Sequence, residues 1–266
     1  MGEGFDPTAG AATLAAAYRS GDLLPALPVE QRPTALSEAL DIQDKFLAGL
    51  GGASVGWKMG LGSFAQKRTL GFGRALPGRI LASRVHPDGA VIALPNAAPV
   101  TIEFEIAYVL NRDILPDDAE FPARDAIGET RVTFEIVRAR YVDRRAVGWL
   151  SFAADNCAFD SLVLGPVIAA DSEAALAESL VVLADGVEAS RALTGDDVTD
   201  PVASLGDLIL TARERDVKLP KGSVISTGTL CKPFDVVPTG AVIEARFLGR
   251  TLRVRLGHRS EAAGSS

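Results

Sequence analysis

The ten residues Thr101–Leu110 (TIEFEIAYVL) constrain this chain more than any other segment. As a β-strand they send Ile102, Phe104 and Ile106 to one face and Glu103 and Glu105 to the other, because side chains alternate with a period of two. The two carboxylates then stand one strand period apart, roughly 6 to 7 Å along the backbone. Ala107 and Val109 continue the acidic face, so it is not a plainly solvated surface. Like charges on a half-buried face repel and are poorly solvated, and a divalent cation relieves both problems. Taken alone, the segment also suits an exposed strand with two solvated glutamates, the ordinary position of acidic residues. Glu135 shifts the balance. It sits in Val132–Val137 (VTFEIV) between Phe134 and Ile136, where it needs a cation or an outward-facing position. Three carboxylates without a histidine or cysteine partner suit a hard ion with oxygen ligands. Mg2+ or Mn2+ fits, with water and substrate completing the octahedron.

The rest of the 266 residues reads as an α+β chain. Ala11–Tyr18 is alanine-rich, and Thr34–Leu50 gathers Leu36, Leu40, Phe46, Leu47 and Leu50 at helical spacing. Glycines 49, 51 and 52 end that helix, and the three prolines of Leu24–Pro33 make a connector between the two helices. Beyond Val55, β-rich runs alternate with Pro/Gly punctuation: Arg84–Leu94, Thr101–Leu110, Val132–Val137, Ser161–Ile168, Leu180–Leu183, Gly222–Ser226 and Ala241–Leu256. Helices are expected near Asp118–Ile127, Ser172–Ser179 and Pro201–Glu214. The irregular alternation predicts mostly antiparallel strands rather than βαβ repeats. The chain divides into a helical N-terminal section (1–52), a β-rich catalytic domain (53–258) and a flexible tail (259–266).

Composition and motifs remove several function classes. A net charge of -7 argues against a nucleic-acid surface, which needs a basic excess. Hydrophobic residues at 47% supply a real core, yet no run approaches the ~18 to 20 apolar residues of a membrane span. No signal peptide is expected. Cys157 and Cys231 lack metal-ligand spacing and make no disulfide framework, so a reducing, cytoplasmic setting with free thiols is expected. Gly51–Lys58 (GGASVGWK) fails as a phosphate loop, because Trp57 separates glycine from lysine and Met59 stands where Ser or Thr is required. No Gly-x-Ser-x-Gly elbow occurs. His86 and His258 fall near strand ends, outside any triad or zinc motif.

Glu103-Phe104-Glu105 with the following Ile106–Leu110 resembles the metal-binding strand of the 2-keto-4-pentenoate hydratase family, within the fumarylacetoacetate hydrolase superfamily. Glu135-Ile136-Val137 is similar to that family's third acidic segment, and Gly56–Ser63 (GWKMGLGS) to its lysine-bearing loop. Asp155-Asn156 with Val163-Leu164-Gly165, and Lys221–Leu230 (KGSVISTGTL), resemble two further landmarks in the same order. The resemblance spans roughly residues 40 to 256. It implies a mixed β-roll or barrel core of the fumarylacetoacetase C-terminal type with a helical N-terminal section. It also implies Glu103, Glu105 and Glu135 as metal ligands and Lys58 as the catalytic residue. Lys58 would hold the substrate anion or shuttle a proton if desolvation lowers its pKa. Ser63, Asn156, Thr227, Gly228 and Thr229 are implied as substrate-binding residues, and a homo-oligomer as the assembly. The implied substrate is a small 2-oxo or 2-hydroxydienoic acid. Hydration of a 2-hydroxypentadienoate in aromatic-compound catabolism is the implied reaction.

The chain departs from the family pattern at several polar positions. Leu76 and its neighbours stand where the family carries an aspartate-containing segment, and Arg138-Ala139-Arg140 where it has Asp-Ser-Arg. Ala158 and Phe159 replace two serines. These changes spare the metal ligands but remove acid/base and hydroxyl groups around the reacting carbons. Decarboxylation of 2-oxo-dienedioates, acylpyruvate hydrolysis, or a catalytically weak homologue that binds a small acid therefore stand as alternatives.

Overall fold

A computed structural model describes residues 5–259, so residues 260–266 of the expected tail lie outside the described residues. Six α-helices occur among them: α1 Thr8–Ser20, α2 Leu36–Leu50, α3 Phe64–Leu70, α4 Gly148–Ala154, α5 Glu173–Ser179 and α6 Pro201–Glu214. The first strands are β1 Ser54–Gly60, β2 Leu76–Leu81, β3 Val85–Pro87, β4 Ala90–Leu94, β5 Val100–Leu110, β6 Ile127–Val137 and β7 Phe159–Ile168. They are followed by β8 Val181–Ala184, β9 Val187–Arg191, β10 Val224–Thr229, β11 Phe234–Val236, β12 Ala241–Phe247 and β13 Arg250–His258. No helix among the described residues is long and apolar enough to cross a membrane.

The strands form two sheets. The larger runs β2-β1-β10-β5-β6-β7-β3, with β11 also pairing β5, and curls into a half-barrel. The smaller runs β4-β13-β12-β8-β9. Pairing is antiparallel except at β1–β10, β3–β7 and β4–β13. The apolar face of β5 holds the sheets together. Phe104 lies 5.7 Å from Phe134 of β6 and 5.4 Å from Phe247 of β12, ring centre to ring centre. That packing fixes the register of β5, because a one-residue slip would drive Glu103 and Glu105 into this core.

The N-terminal helices rest on one end of the large sheet. Leu14 of α1 and Ile42 and Phe46 of α2 pack in one cluster with Leu76 and Leu81 of β2 and Ala153 of α4. Buried Gln43 ties the three elements, donating through Nε2 to Pro77 O at 3.0 Å and Ala153 O at 2.7 Å. At α6, Asp200 caps the helix by accepting from Ala203 N, and Pro201 occupies the first turn, where no N–H is needed.

Three expectations are corrected. Asp118–Ile127 is not a helix: only a 3-10 turn forms at Ala123–Ala126, because pairing of Ile127 with Leu110 draws the chain into β6. Arg84–Leu94 divides at the Asp88-Gly89 turn into β3 and β4, which join different sheets. The lysine-bearing segment is a strand, not a loop: Lys58 lies on β1, between β2 and β10.

Gly56 of β1 faces Val224 of β10 so closely that a Cβ would fall 1.9 Å from Val224 O. Gly56→Ala should therefore destabilise the protein by about 1 to 3 kcal/mol or more, the usual overpacking penalty. The urea midpoint would fall at unchanged slope. Gly49→Ala in α2, where a Cβ meets open space, should leave the midpoint unchanged or raise it.

Candidate metal centre and cavity

The β5–β6 register sets Glu103 directly opposite Glu135, while Thr229 of β10 pairs with Glu105 on the other side. The structure thus brings the three sequence-predicted carboxylates together, with one oxygen from each within 4.8 Å of the others. Glu105 and Glu135 are fully buried and Glu103 is half-buried. Like charges placed opposite each other on neighbouring strands are destabilising, so this arrangement needs a compensating charge.

Part of that charge is Lys58. Its Nζ lies 2.9 Å from Glu135 Oε1, an ion pair without a well-directed hydrogen bond. Phe152 of α4 covers the ammonium, with its ring centre 5.9 Å away. Glu105 Oε2 accepts hydrogen bonds from Ser226 Oγ at 2.6 Å and Gly228 N at 3.1 Å. Gly228 reaches it with a φ of +106°, a conformation that suits glycine, and a Cβ there would meet Thr199 at 3.0 Å. Glu105 Oε1 and Glu135 Oε2 have no hydrogen-bond donor.

Burial dominates the titration of this cluster. It raises Glu135 to about 7, with Lys58 opposing and Glu103 reinforcing the rise. It raises Glu105 well above the ordinary carboxylate range, with Glu135 and Glu103 adding to it. Burial alone would lower Lys58, but Glu135 and its neighbours overturn that and hold the ammonium charged. The lowered lysine pKa considered from sequence is thus corrected. Fully ionised, three glutamates and one lysine carry two net negative charges. Donorless oxygens aimed at one another, all hard, with that charge, fit a divalent cation.

A cavity of about 550 Å³ opens on this cluster. Lys58, Glu103, Gly228 and Thr229 line it, as do Trp149 and Phe152 of α4. Sequence reasoning missed the two aromatics because α4 is only two turns long and they precede the Asp155-Asn156 landmark rather than belonging to it. It also missed Arg144, Arg145 and Lys232, which line the same cavity from loops. The adjacent Arg144-Arg145 pair was the one available signal.

Three predicted substrate contacts take structural positions instead, off the cavity lining. Ser63 caps α3 in a capping box with Gln66. Asn156 is committed at both ends to the β2 backbone, accepting from Arg79 N at 2.6 Å and donating to Arg79 O at 3.0 Å. Thr227 donates its hydroxyl to Ile106 O. The departures from the family pattern are structural too. Leu76 is fully buried beside Cys157. Buried Arg140 pairs with Asp155, and Arg138 with Asp160 at 2.7 Å. Burial would raise Asp160, but Arg84 and Arg138 hold it at about 2. Both thiols are free and buried, and burial pushes Cys157 up to about 12.

A curled β half-barrel carrying a buried acidic triad defines a known class. The family model for the fumarylacetoacetate (FAA) hydrolase C-terminal region matches residues 81–257. The chain belongs to the fumarylacetoacetate hydrolase family. It is 30% identical over 197 residues to a 2-keto-4-pentenoate hydratase of Paraburkholderia phymatum, covering 71% of this chain and 68% of that one. It is 27% identical over 201 residues to a 4-oxalocrotonate decarboxylase of Pseudomonas sp. strain CF600, covering 75% of each. In fold it resembles the 4-oxalocrotonate decarboxylase of Pseudomonas putida G7, solved with magnesium and adipate. The TM-score is 0.81 at 23% identity, over 94% of this chain and 96% of that one.

The acidic cluster makes an expectation that separates binding from folding. Mn2+ at a hundred times its dissociation constant should stabilise the wild type by about 2.7 kcal/mol, read as a rise in melting temperature over an EDTA control. Glu103→Gln should lose most of that rise. Its metal-free melting temperature should not fall, because one repelling charge has gone.

Proposed function

We propose that this chain is a divalent-metal-dependent lyase of small 2-oxo acids and their 2-hydroxydienoate enols, with water addition as its reaction. The observation that carries this reading is the Glu103–Glu105–Glu135 cluster, with Lys58 beside it on the wall of a partly aromatic cavity. The three glutamates would hold Mg2+ or Mn2+, which when bound would supply Lewis acidity toward a 2-oxo acid. Lys58, kept charged by its carboxylate neighbours, binds the substrate anion, and its raised pKa argues against its serving as a resting base. Phe152 and Trp149 exclude bulk water along the unsaturated chain, which strengthens each charged contact inside. Gly228 N–H fixes the Glu105 carboxylate and leaves its other oxygen free within the acidic cluster. The identity to a 2-keto-4-pentenoate hydratase supports hydration.

Decarboxylation of a 2-oxo-dienedioate is the second reading. The apolar wall of Phe152 and Trp149 favours it, since a leaving carboxylate becomes uncharged carbon dioxide, and so does the likeness to decarboxylases. Purified protein with Mg2+ should consume the dienol absorbance of 2-hydroxypenta-2,4-dienoate and form a 4-hydroxy-2-oxo acid. Release of carbon dioxide from 4-oxalocrotonate, without hydration activity, would move the assignment to the second reading. Lys58→Met should lower turnover by about 10²-fold or more, the low end for losing one group that stabilises developing negative charge. Calorimetric titration should show Mn2+ affinity no weaker than wild type, because the lost ammonium competes with the ion for Glu135. Full turnover in that variant would remove Lys58 from the chemistry.

A further inference from the structure

We propose that Arg144, Arg145 and Lys232 form a second anion subsite in this cavity, one that takes a carboxylate at the far end of the substrate chain. This rests on the reading of the cavity as a 2-oxo-acid site and adds that the preferred substrate is a dioate.

The case begins with pairing. The protein has 34 acidic and 27 basic residues, so carboxylates are in surplus. Most arginines use them: Arg74 meets Glu214, Arg138 meets Asp160, Arg140 meets Asp155, and Arg215 meets Asp41 and Asp44. Among the described residues no ion pair or side-chain hydrogen bond engages Arg144, Arg145 or Lys232, yet all three line one cavity. The single carboxylate in that lining is Glu103, which belongs to the metal cluster. Three unneutralised cations around one opening, in an acidic protein, make a field for an anion.

Their placement separates them from the metal end. Phe152 covers Lys58, whereas Trp149 and Gly148 line the cavity one turn back along α4. Arg145 and Arg144 precede that first turn, so the wall leads at least one helical turn, about 5.4 Å, from the Lys58 end before reaching them. Asp143 accepts from Arg145 N at 2.8 Å and Ala146 N at 3.2 Å, which fixes the turn that carries both arginines. Lys232 comes from the loop after β10, the strand whose end supplies Gly228 and Thr229. One end of a bound acid thus meets the metal cluster and Lys58, its chain meets the aromatics, and a terminal carboxylate meets the cations. Guanidinium groups suit that partner because they bind carboxylates through two parallel hydrogen bonds.

The test compares two six-carbon acids on Mn2+-loaded protein, 2-oxohexanoate and 2-oxohexanedioate, by calorimetry. The dioate should bind roughly tenfold more tightly. The advantage should shrink at about 1 M ionic strength, where the screening length is about 3 Å. In R144Q/R145Q/K232Q the ratio of the two affinities should fall to near one. R145Q/K232Q, which changes only exposed side chains, should reduce the ratio if the triple variant fails to fold. Equal affinities in the wild type, or a ratio that survives the substitutions, overturns the subsite alone. If neither acid binds in a metal-dependent way, the 2-oxo-acid reading falls and the subsite falls with it.

Discussion

Repulsion among Glu103, Glu105 and Glu135 is the constraint around which the rest of the structure is arranged. Two carboxylates 4.8 Å apart at an effective dielectric of 20 repel by roughly 3 to 4 kcal/mol. With all three ionised, one ammonium still leaves the cluster with two net negative charges, and the sheet must hold these carboxylates together. It does so from the opposite face of β5, where Ile102, Phe104 and Ile106 are fully buried between the sheets. The same strand therefore carries both the stabilising core and the destabilising site, and the two cannot be moved independently. The cluster is a stored preference for a cation, built into the register of β5 and β6.

Lys58 is positioned by a second unusual feature. Asn156, Cys157 and Ala158 all adopt positive φ, at 53°, 49° and 58°. A left-handed turn of three L-residues is unfavourable by roughly 1 to 2 kcal/mol per residue and persists only when its surroundings fix it. The neighbours do fix it. Asn156 clamps both backbone groups of Arg79 on β2, Arg138 N donates to Ala158 O at 2.8 Å, and Asp155 holds Arg140. Within the turn, Cys157 packs beside Gly60 near the Lys58 ammonium, and its Sγ lies 3.4 Å from Pro77 O. The buried ion pairs of Arg138 and Arg140 thus lie behind the site and shape the wall that confines Lys58.

How much of this was legible follows from the range of each signal. Period-two alternation made β5 and its acidic face readable, because the pattern and the chemistry occupy the same ten residues. Glu135 was readable for the same reason, as a charge inside an apolar run. The helix at Pro201–Glu214 was announced by Asp200 and Pro201. What failed were roles decided by distant partners. Nothing near Asn156 in sequence shows that its amide belongs to Arg79, 77 positions away. Ser63 carried a local signal, since Gln66 three residues later completes a capping box, yet the resemblance suggested a substrate contact instead. Asp118–Ile127 looked helical by composition, and tertiary pairing of Ile127 overrode it.

The cationic rim bears on the choice between the two reactions. Losing a distal carboxylate as carbon dioxide moves its charge through the conjugated chain to the metal end. A site that favours this leaves the departing carboxylate in apolar surroundings. Arg144, Arg145 and Lys232 do the reverse, because each contact to that carboxylate stabilises the charged ground state and raises the barrier to its departure. Water addition keeps the carboxylate, so the same contacts bind ground state and transition state alike and orient the chain. If the cations take the terminal carboxylate, hydration of a dioate is the chemistry the cavity favours. If that carboxylate instead rests against Phe152 and Trp149, the same metal end drives decarboxylation. The choice of reaction would then lie in α4 and the loops that carry the three cations rather than in the acidic triad.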